Sequence, residues 1–181
     1  MTMDWKNKID ADWSLFLDRD GVVNVRLIDD YVKNIGEFEF LPGVLEAFGI
    51  FAKCFKHIFI ITNQQGVGKR LMTSDDLCSV HEYMCKEIEN HGGRIDKIYS
   101  CTQLKSEPDN YRKPSPKMAF MAKGDFPEVD FSKSIMIGDA ESDIKFGMNA
   151  GMHTVLVGDE PISLEPDGRF LSLYDFAKNL I

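Results

Sequence analysis

Ser14-Leu-Phe-Leu17 runs straight into Asp18-Arg-Asp-Gly21, and the reading of the fold starts from that junction. A short apolar run of this kind suits a strand buried on both faces, as in a parallel sheet. Four further segments repeat the design: His57-Ile-Phe-Ile-Ile61 ending at Thr62-Asn63, Ile95 to Cys101, Ser134-Ile-Met-Ile-Gly138 ending at Asp139, and His153 to Val157. Between them lie helical patterns: Val44 to Lys56 after Pro42-Gly43, a stripe of Leu77, Val80, Met84 and Ile88 behind the cap pair Thr73 and Asp76, Pro116 to Lys123, and Ser142 to Asn149. A last helix is expected from Leu173 to Ile181. Strands alternating with helices specify a doubly wound α/β fold, a parallel sheet with helices on both faces.

Composition sets the outer limits. A chain of 181 residues, 44% hydrophobic and 28% charged, matches an ordinary soluble globular protein. No repeat or linker divides it, so one domain spanning 1–181 is expected, with about 70% of the unfolded surface buried. The 29 acidic against 21 basic residues leave a formal charge of −8. A nucleic-acid partner bound through a general basic surface is therefore not expected. No apolar run approaches the roughly 20 residues of a membrane-spanning helix, and Met1 to Asp10 lacks the apolar core of a signal peptide. Cys54, Cys78, Cys85 and Cys101 form no Cys-x-x-Cys pair, and read as reduced, mostly buried thiols. These features place the protein in the cytoplasm, and a monomer is the default.

In an open α/β sheet, ligands bind beyond the carboxyl ends of the strands. Those ends hold Asp18 and Asp20, Thr62 and Asn63, the segment after Cys101, and Asp139. Two carboxylates spaced as Asp18 and Asp20 can share a hard cation while one oxygen stays free to attack phosphorus. Asp20 is then the natural acid and base, and Gly21 lets the chain turn sharply. Taken alone, the same residues fit an acidic turn equally well. Asp139 can complete a Mg²⁺ site with Asp18, and Asp143 can orient a ligand or water; alone, the pair reads as a cap and a solvated helix residue. Lys113, in the Arg112-Lys-Pro114 loop, is the candidate counter-charge for a transferring phosphoryl group. Asn63-Gln-Gln-Gly-Val-Gly68-Lys-Arg70 fails as a phosphate-binding GxxxxGK[ST] loop, because Asn63 replaces its first glycine and Arg70 its hydroxyl residue.

Asp18-Arg-Asp-Gly-Val-Val23, Thr62-Asn63, Lys113 and Gly138-Asp139 to Asp143 resemble, in order, the four motifs of the haloacid dehalogenase superfamily. Phe16 to Asn24, Tyr31-Val32, Phe40-Leu-Pro-Gly-Val44, Thr62-Asn-Gln64, Arg112-Lys-Pro-x-Pro116 and Ala150-Gly-Met152 narrow the resemblance to its capless branch, which includes heptose 1,7-bisphosphate and histidinol-phosphate phosphatases. The resemblance implies a Mg²⁺-dependent phosphatase acting on a small phosphorylated metabolite, with no large cap domain. Asp18 would be nucleophile and metal ligand, and Asp20 acid/base and metal ligand through its backbone carbonyl. Asp139 would be the third ligand, with Asp143 supporting. Arg19, Thr62, Asn63 and Lys113 would bind phosphate. Arg112 would reach the non-transferred part of the substrate, helped by Gln64, Lys69 or Arg70, and loops 24–38, 64–72 and 102–112 would set selectivity.

One departure stands out. Members of the branch often carry a zinc loop of Cys-x-His and two later cysteines before Arg-Lys-Pro. Here only Cys101 remains and Gln103 occupies the histidine position. One thiolate cannot build a tetrahedral site, so no zinc is expected. Heptose bisphosphate leads as substrate, with histidinol phosphate as alternative. Relatives that remove DNA 3′-phosphates share similar motifs, but the −8 charge weighs against that use. From another class, a receiver-like phosphorylation switch also joins aspartates, Mg²⁺, a hydroxyl residue and a lysine. Asp20, placed to speed hydrolysis of an aspartyl-phosphate, argues against a lasting signal.

Overall fold

Strands buried on both faces send alternate side chains to opposite sides and so divide the core. In the computed structural model, which describes residues 9–181, the strands are β1 (Ser14–Leu17), β2 (His57–Asn63), β3 (Lys97–Cys101), β4 (Ser134–Gly138), β5 (His153–Val157) and β6 (Gly168–Phe170). All pair in parallel, in the order β3-β2-β1-β4-β5-β6. Leu15, Leu17, Ile58, Ile60, Ile135, Ile137, Val155 and Val157 point to one face. There they meet α1 (Val44–Cys54), α3 (Ser74–Asn90) and α6 (Leu173–Lys178) through Phe48, Phe51, Val80, Met84 and Phe176. Phe16, Phe59, Ile61, Tyr99 and Met136 point to the other face, against α4 (Lys117–Asp125) and α5 (Glu141–Ala150). Alternate side chains leaving a pleated strand on opposite faces require helices on both sides.

The strand order places the topological switch between β1 and β4, since the chain builds outward through β2 and β3 and then returns to the far side of β1. Ligand crevices form at such a point. The β1–α1 connection over 18–43 carries only a short 3₁₀ turn, Ile35–Glu37, and isolated bridges through Asn24. It forms no cap domain.

Local chemistry accounts for most boundaries. Thr73 Oγ1 accepts from Asp76 N–H at 3.1 Å while Asp76 accepts from Thr73 N–H at 2.8 Å, closing the expected capping box on α3. The predicted stripe Leu77, Val80, Met84 and Ile88 is buried. Helix α1 stops at Cys54, short of Lys56, because Phe55 turns extended and Lys56 N–H binds Trp13 C=O at 2.8 Å to lead into β2. Helix α6 ends at Lys178 rather than Ile181. The short α2 (Gln65–Gly68) and strand β6 had no sequence signal long enough to read. All four cysteines are free. Cys101 is buried, Cys54 and Cys85 are half-buried, and Cys78 is exposed, so the expectation of buried thiols fails at Cys78 on the outer face of α3. Among the described residues no helix is long and apolar enough to cross a membrane. The amino-terminal stretch read as lacking a leader's apolar core lies, up to residue 8, outside those residues.

Candidate active site

Strand β1 ends at Leu17, and Asp18 N–H bonds to Ile137 C=O of β4 at 2.9 Å, so the sheet ladder itself positions the first carboxylate. The next peptide folds back: Arg19 N–H donates to Asp18 Oδ1 at 2.7 Å, and Arg19 C=O accepts from Val23 N–H at 2.8 Å. Gly21 carries the turn at φ +91°, and a Cβ there would run into the Asp139 carboxylate. Only glycine satisfies both the left-handed backbone and the close approach of the β4 carboxylate.

Lys113 Nζ lies 2.7 Å from Asp18 Oδ1 and 2.7 Å from Asp143 Oδ1, with the lysine 3% exposed. Its loop is tied from two sides. Asn63 Oδ1 accepts from Lys113 N–H at 3.0 Å, and Asn149 donates to Pro114 C=O at 3.0 Å. Asp143 Oδ2 accepts from Ala140 N–H at 3.2 Å at the start of α5. Donor oxygens of Asp18, Asp139 and Asp143 all lie within 4.8 Å of one another. Three carboxylates share one buried ammonium, and the exposed Arg26 reaches only Asp139 Oδ2, at 3.4 Å, so formal negative charge stays in excess at the floor of the cleft. Hard oxygen donors with that excess fit a Mg²⁺ ion.

Electrostatics record the crowding. Burial, then the Asp143 charge, raises Asp18 to about 7 against the pull of Lys113. Burial and the Asp18 charge raise Asp139 to about 6, opposed by Arg26 and Lys113. Burial works against the Lys113 charge, but Asp143 and Asp18 outweigh it and hold the ammonium above the usual lysine range.

Asp20 has a different setting. Its Oδ1 accepts from Arg19 Nη2 at 2.8 Å and from Asn24 Nδ2 at 3.0 Å, and its Oδ2 from Gln64 Nε2 at 2.9 Å. Burial would raise this carboxyl, yet the Arg19 charge and the three donors together hold it below the usual range. Gln64 Nε2 also donates to Thr62 Oγ1 at 2.8 Å. That bond occupies the hydroxyl's acceptor side and leaves its O–H to donate toward the cleft.

The structure therefore gathers Asp18, Asp20, Thr62, Asn63, Arg112, Lys113, Asp139 and Asp143 around one cleft of about 360 Å³. Arg19 does not join them. It is fully buried, its guanidinium spent on Asp20 and His81 Nε2, so it does not face a phosphate as expected. The adjacent turn rolls its side chain beneath the site. Gln64 likewise points inward, and Arg70 lies off the cleft; of the three expected helpers only Lys69 lines it. Arg26, Leu27 and Tyr31 form a wall from the 24–38 loop expected to set selectivity; of the three, sequence reasoning had singled out only Tyr31. Arg26 Nη1 reaches Asp139 Oδ2 at 3.4 Å, and Lys69 Nζ stands 5.4 Å from the centre of the Tyr31 ring. Arg26 is the lone basic residue between Gly21 and Val32, a signal that was available.

Comparison with known proteins agrees with this geometry. A family model described as HAD-hydrolase-like matches residues 110–162. The chain is 36% identical to a D-glycero-alpha-D-manno-heptose-1,7-bisphosphate 7-phosphatase of Campylobacter jejuni, covering 93% of each. It is 34% identical to the enzyme of that name from Mycobacterium tuberculosis, over 91% of this chain and 90% of the relative. Among solved structures, D,D-heptose 1,7-bisphosphate phosphatase from B. bronchiseptica, complexed with magnesium and phosphate, superimposes with a TM-score of 0.83 at 28% identity, covering 93% of this chain and 97% of that one.

Proposed function

The chain belongs to the haloacid dehalogenase-like hydrolases, among the phosphatases of the heptose-bisphosphate branch, and from that premise we propose that it hydrolyses D-glycero-D-manno-heptose 1,7-bisphosphate. The observation that carries the reading is the Asp18 carboxylate, held 2.7 Å from Lys113 at the end of β1, with Asp139 and Asp143 converging on it. Asp18 and Asp139 would hold Mg²⁺, with the Asp20 backbone carbonyl as third protein ligand. The bound ion supplies charge neutralisation for the phosphoryl oxygens. Asp143 supports the set by sharing Lys113 with Asp18.

Asp18 attacks phosphorus, and the bond to the leaving oxygen breaks as the aspartyl-phosphate forms. Asp20, kept ionised at rest by Arg19, takes up a proton as the substrate dianion arrives, gives it to the leaving oxygen, and then takes one from the water that hydrolyses the intermediate. Thr62 O–H, the Asn63 backbone N–H and Lys113 bind the phosphoryl oxygens. Arg112, Lys69 and Arg26 outnumber Asp29 and Asp30 on the rim, and Asp30 is spent on Lys33 Nζ at 2.6 Å; this basic excess suits a second phosphate and favours a bisphosphate over histidinol phosphate. Asp20 beside the phosphorylated residue weighs against a receiver-like switch.

The loop over 102–112 is closed by its own side chains. Asn110 donates to Lys105 C=O and Glu107 C=O at 3.3 and 3.0 Å, and Gln103 accepts from Tyr111 N–H at 3.2 Å. This supports a loop that holds its shape without zinc. Four free thiols support a reducing, cytoplasmic setting, and a monomer remains the working state. The test is kcat/KM for the heptose bisphosphate beside histidinol phosphate, with Mg²⁺ and after chelation. Preference for the heptose and loss on chelation support the reading; preference for histidinol phosphate overturns the substrate, and activity without a divalent ion overturns the metal assignment.

A further inference from the structure

Arg19 is a fully buried guanidinium one residue from the proposed nucleophile, and a desolvated cation needs a specific task for its burial to be tolerated. Its two terminal nitrogens go to different partners: Nη2 to Asp20 Oδ1 at 2.8 Å, and Nη1 to His81 Nε2 at 3.1 Å. A planar fork held at one nitrogen can still swing about that contact; held at two, it is fixed. His81 comes from α3, whose apolar stripe of Leu77, Val80 and Met84 anchors it to the core.

We propose that His81 is a positioning residue for the reaction: it holds Arg19, and Arg19 holds the Asp20 carboxyl group where it exchanges a proton with the leaving oxygen. The histidine has to be a neutral acceptor for this. A carboxylate in its place would compete with Asp20 for the Arg19 charge, and an imidazolium would repel it. Burial, then the Arg19 charge, drives His81 down to about 3, which keeps Nε2 a lone-pair acceptor throughout the working range. Asn24 and Gln64 complete the hold on Asp20, but both are neutral donors; the Arg19–His81 link is the only charged support among the described residues. Supporting groups of this kind keep a proton donor within the narrow geometry that transfer demands.

The inference rests on the phosphatase reading, and leaving-group chemistry separates the two. An alkyl phosphate expels an alkoxide that needs a proton from Asp20, whereas p-nitrophenyl phosphate expels a stable phenolate that does not. The experiment compares kcat/KM for a sugar phosphate and for p-nitrophenyl phosphate in wild type, His81→Leu and His81→Gln, with Mg²⁺ and with Tm measured alongside. His81→Leu should lose about 10- to 100-fold on the sugar phosphate but no more than about threefold on the aryl substrate. His81→Gln, which returns an acceptor near Nε2, should recover most of that loss. Should the leucine variant fold poorly, His81→Asn carries the comparison, since its amide is too short to reach Arg19 but keeps polarity. Equal losses on both substrates, no loss, or no recovery by glutamine overturns the positioning role while leaving the phosphatase reading intact. A wild-type protein that hydrolyses neither substrate overturns both.

Discussion

The floor and the rim of the cleft are built by different means. The floor, Asp18, Thr62, Lys113, Asp139 and Asp143, stands on strand ends, on the first turn of α5 or on a loop pinned to them, and its groups are largely buried and paired. The rim, Arg26, Leu27, Tyr31, Lys69 and Arg112, stands on connections, and Arg26 is 56% exposed along its side chain. Backbone ladders over-determine the floor, so the phosphoryl-transfer role proposed for it rests on the frame of the fold. Loops set the rim with single contacts such as Lys69 over Tyr31, so the rim can change its substrate without disturbing the fold.

The sharpest way to break the contrast is Asp18→Asn. Turnover should fall by at least about 10³-fold while the fold persists. Because the Asp18 carboxylate is crowded by burial and Asp143, the neutral amide should leave the Tm of the chelated protein at pH 8 unchanged or higher. Wild-type-like turnover would remove Asp18 from its role. Next comes Lys113→Met, which strands two buried carboxylates. Stability should drop by about 3–5 kcal/mol, the cost of breaking a buried pair from one side, and kcat/KM by about 10²–10³. Denaturant melts and initial rates read both, and a rate loss without any stability loss would mean that the buried pairing is not structural.

Metal dependence sharpens the floor from another side. In the metal-free protein Asp18 and Asp139 titrate near 7 and 6, raised above their unfolded values. Their contribution to stability is thus complete below about pH 4 and is lost as pH rises through about 6 to 7. A dication offsets that repulsion, so the Mg²⁺-induced rise in Tm should be small at pH 5 and largest above pH 7. Thermal melts with and without the ion across that window check it; a pH-independent shift would place the ion elsewhere. At the rim the effects are smaller and selective. Lys69→Ala or Arg26→Ala should raise KM for the bisphosphate about tenfold, equivalent to about 1.4 kcal/mol, with little change for a monophosphate and none in Tm. Equal effects on both substrates would move the second phosphate off this rim.

The same division governs how much of the molecule could be read before its structure. Strands β1, β4 and β5 carry strong local signals, apolar runs bounded by a charged or glycine stop, and their limits were legible to the residue or nearly so. The strand-end rule then gathers Asp18, Thr62, Asn63 and Asp139 by topology alone. Arg19 shows where that reasoning stops. Residue type and position suggest a phosphate ligand, but the turn through Gly21 sends its side chain beneath the site, toward a histidine 62 positions away. Strand β6 was missed because three residues carry no period.

By itself the amino-acid sequence determined the layers of the fold, the order of its elements and the residues at its strand ends, because those depend on local periodicity and on a stop residue following each apolar run. Tertiary structure alone decided which side chains turn in and which turn out at those ends: Arg19 and Gln64 beneath the site, Arg26, Tyr31 and Lys69 around it. Side-chain direction in a connection depends on contacts from elements distant in the chain, and no local pattern records them.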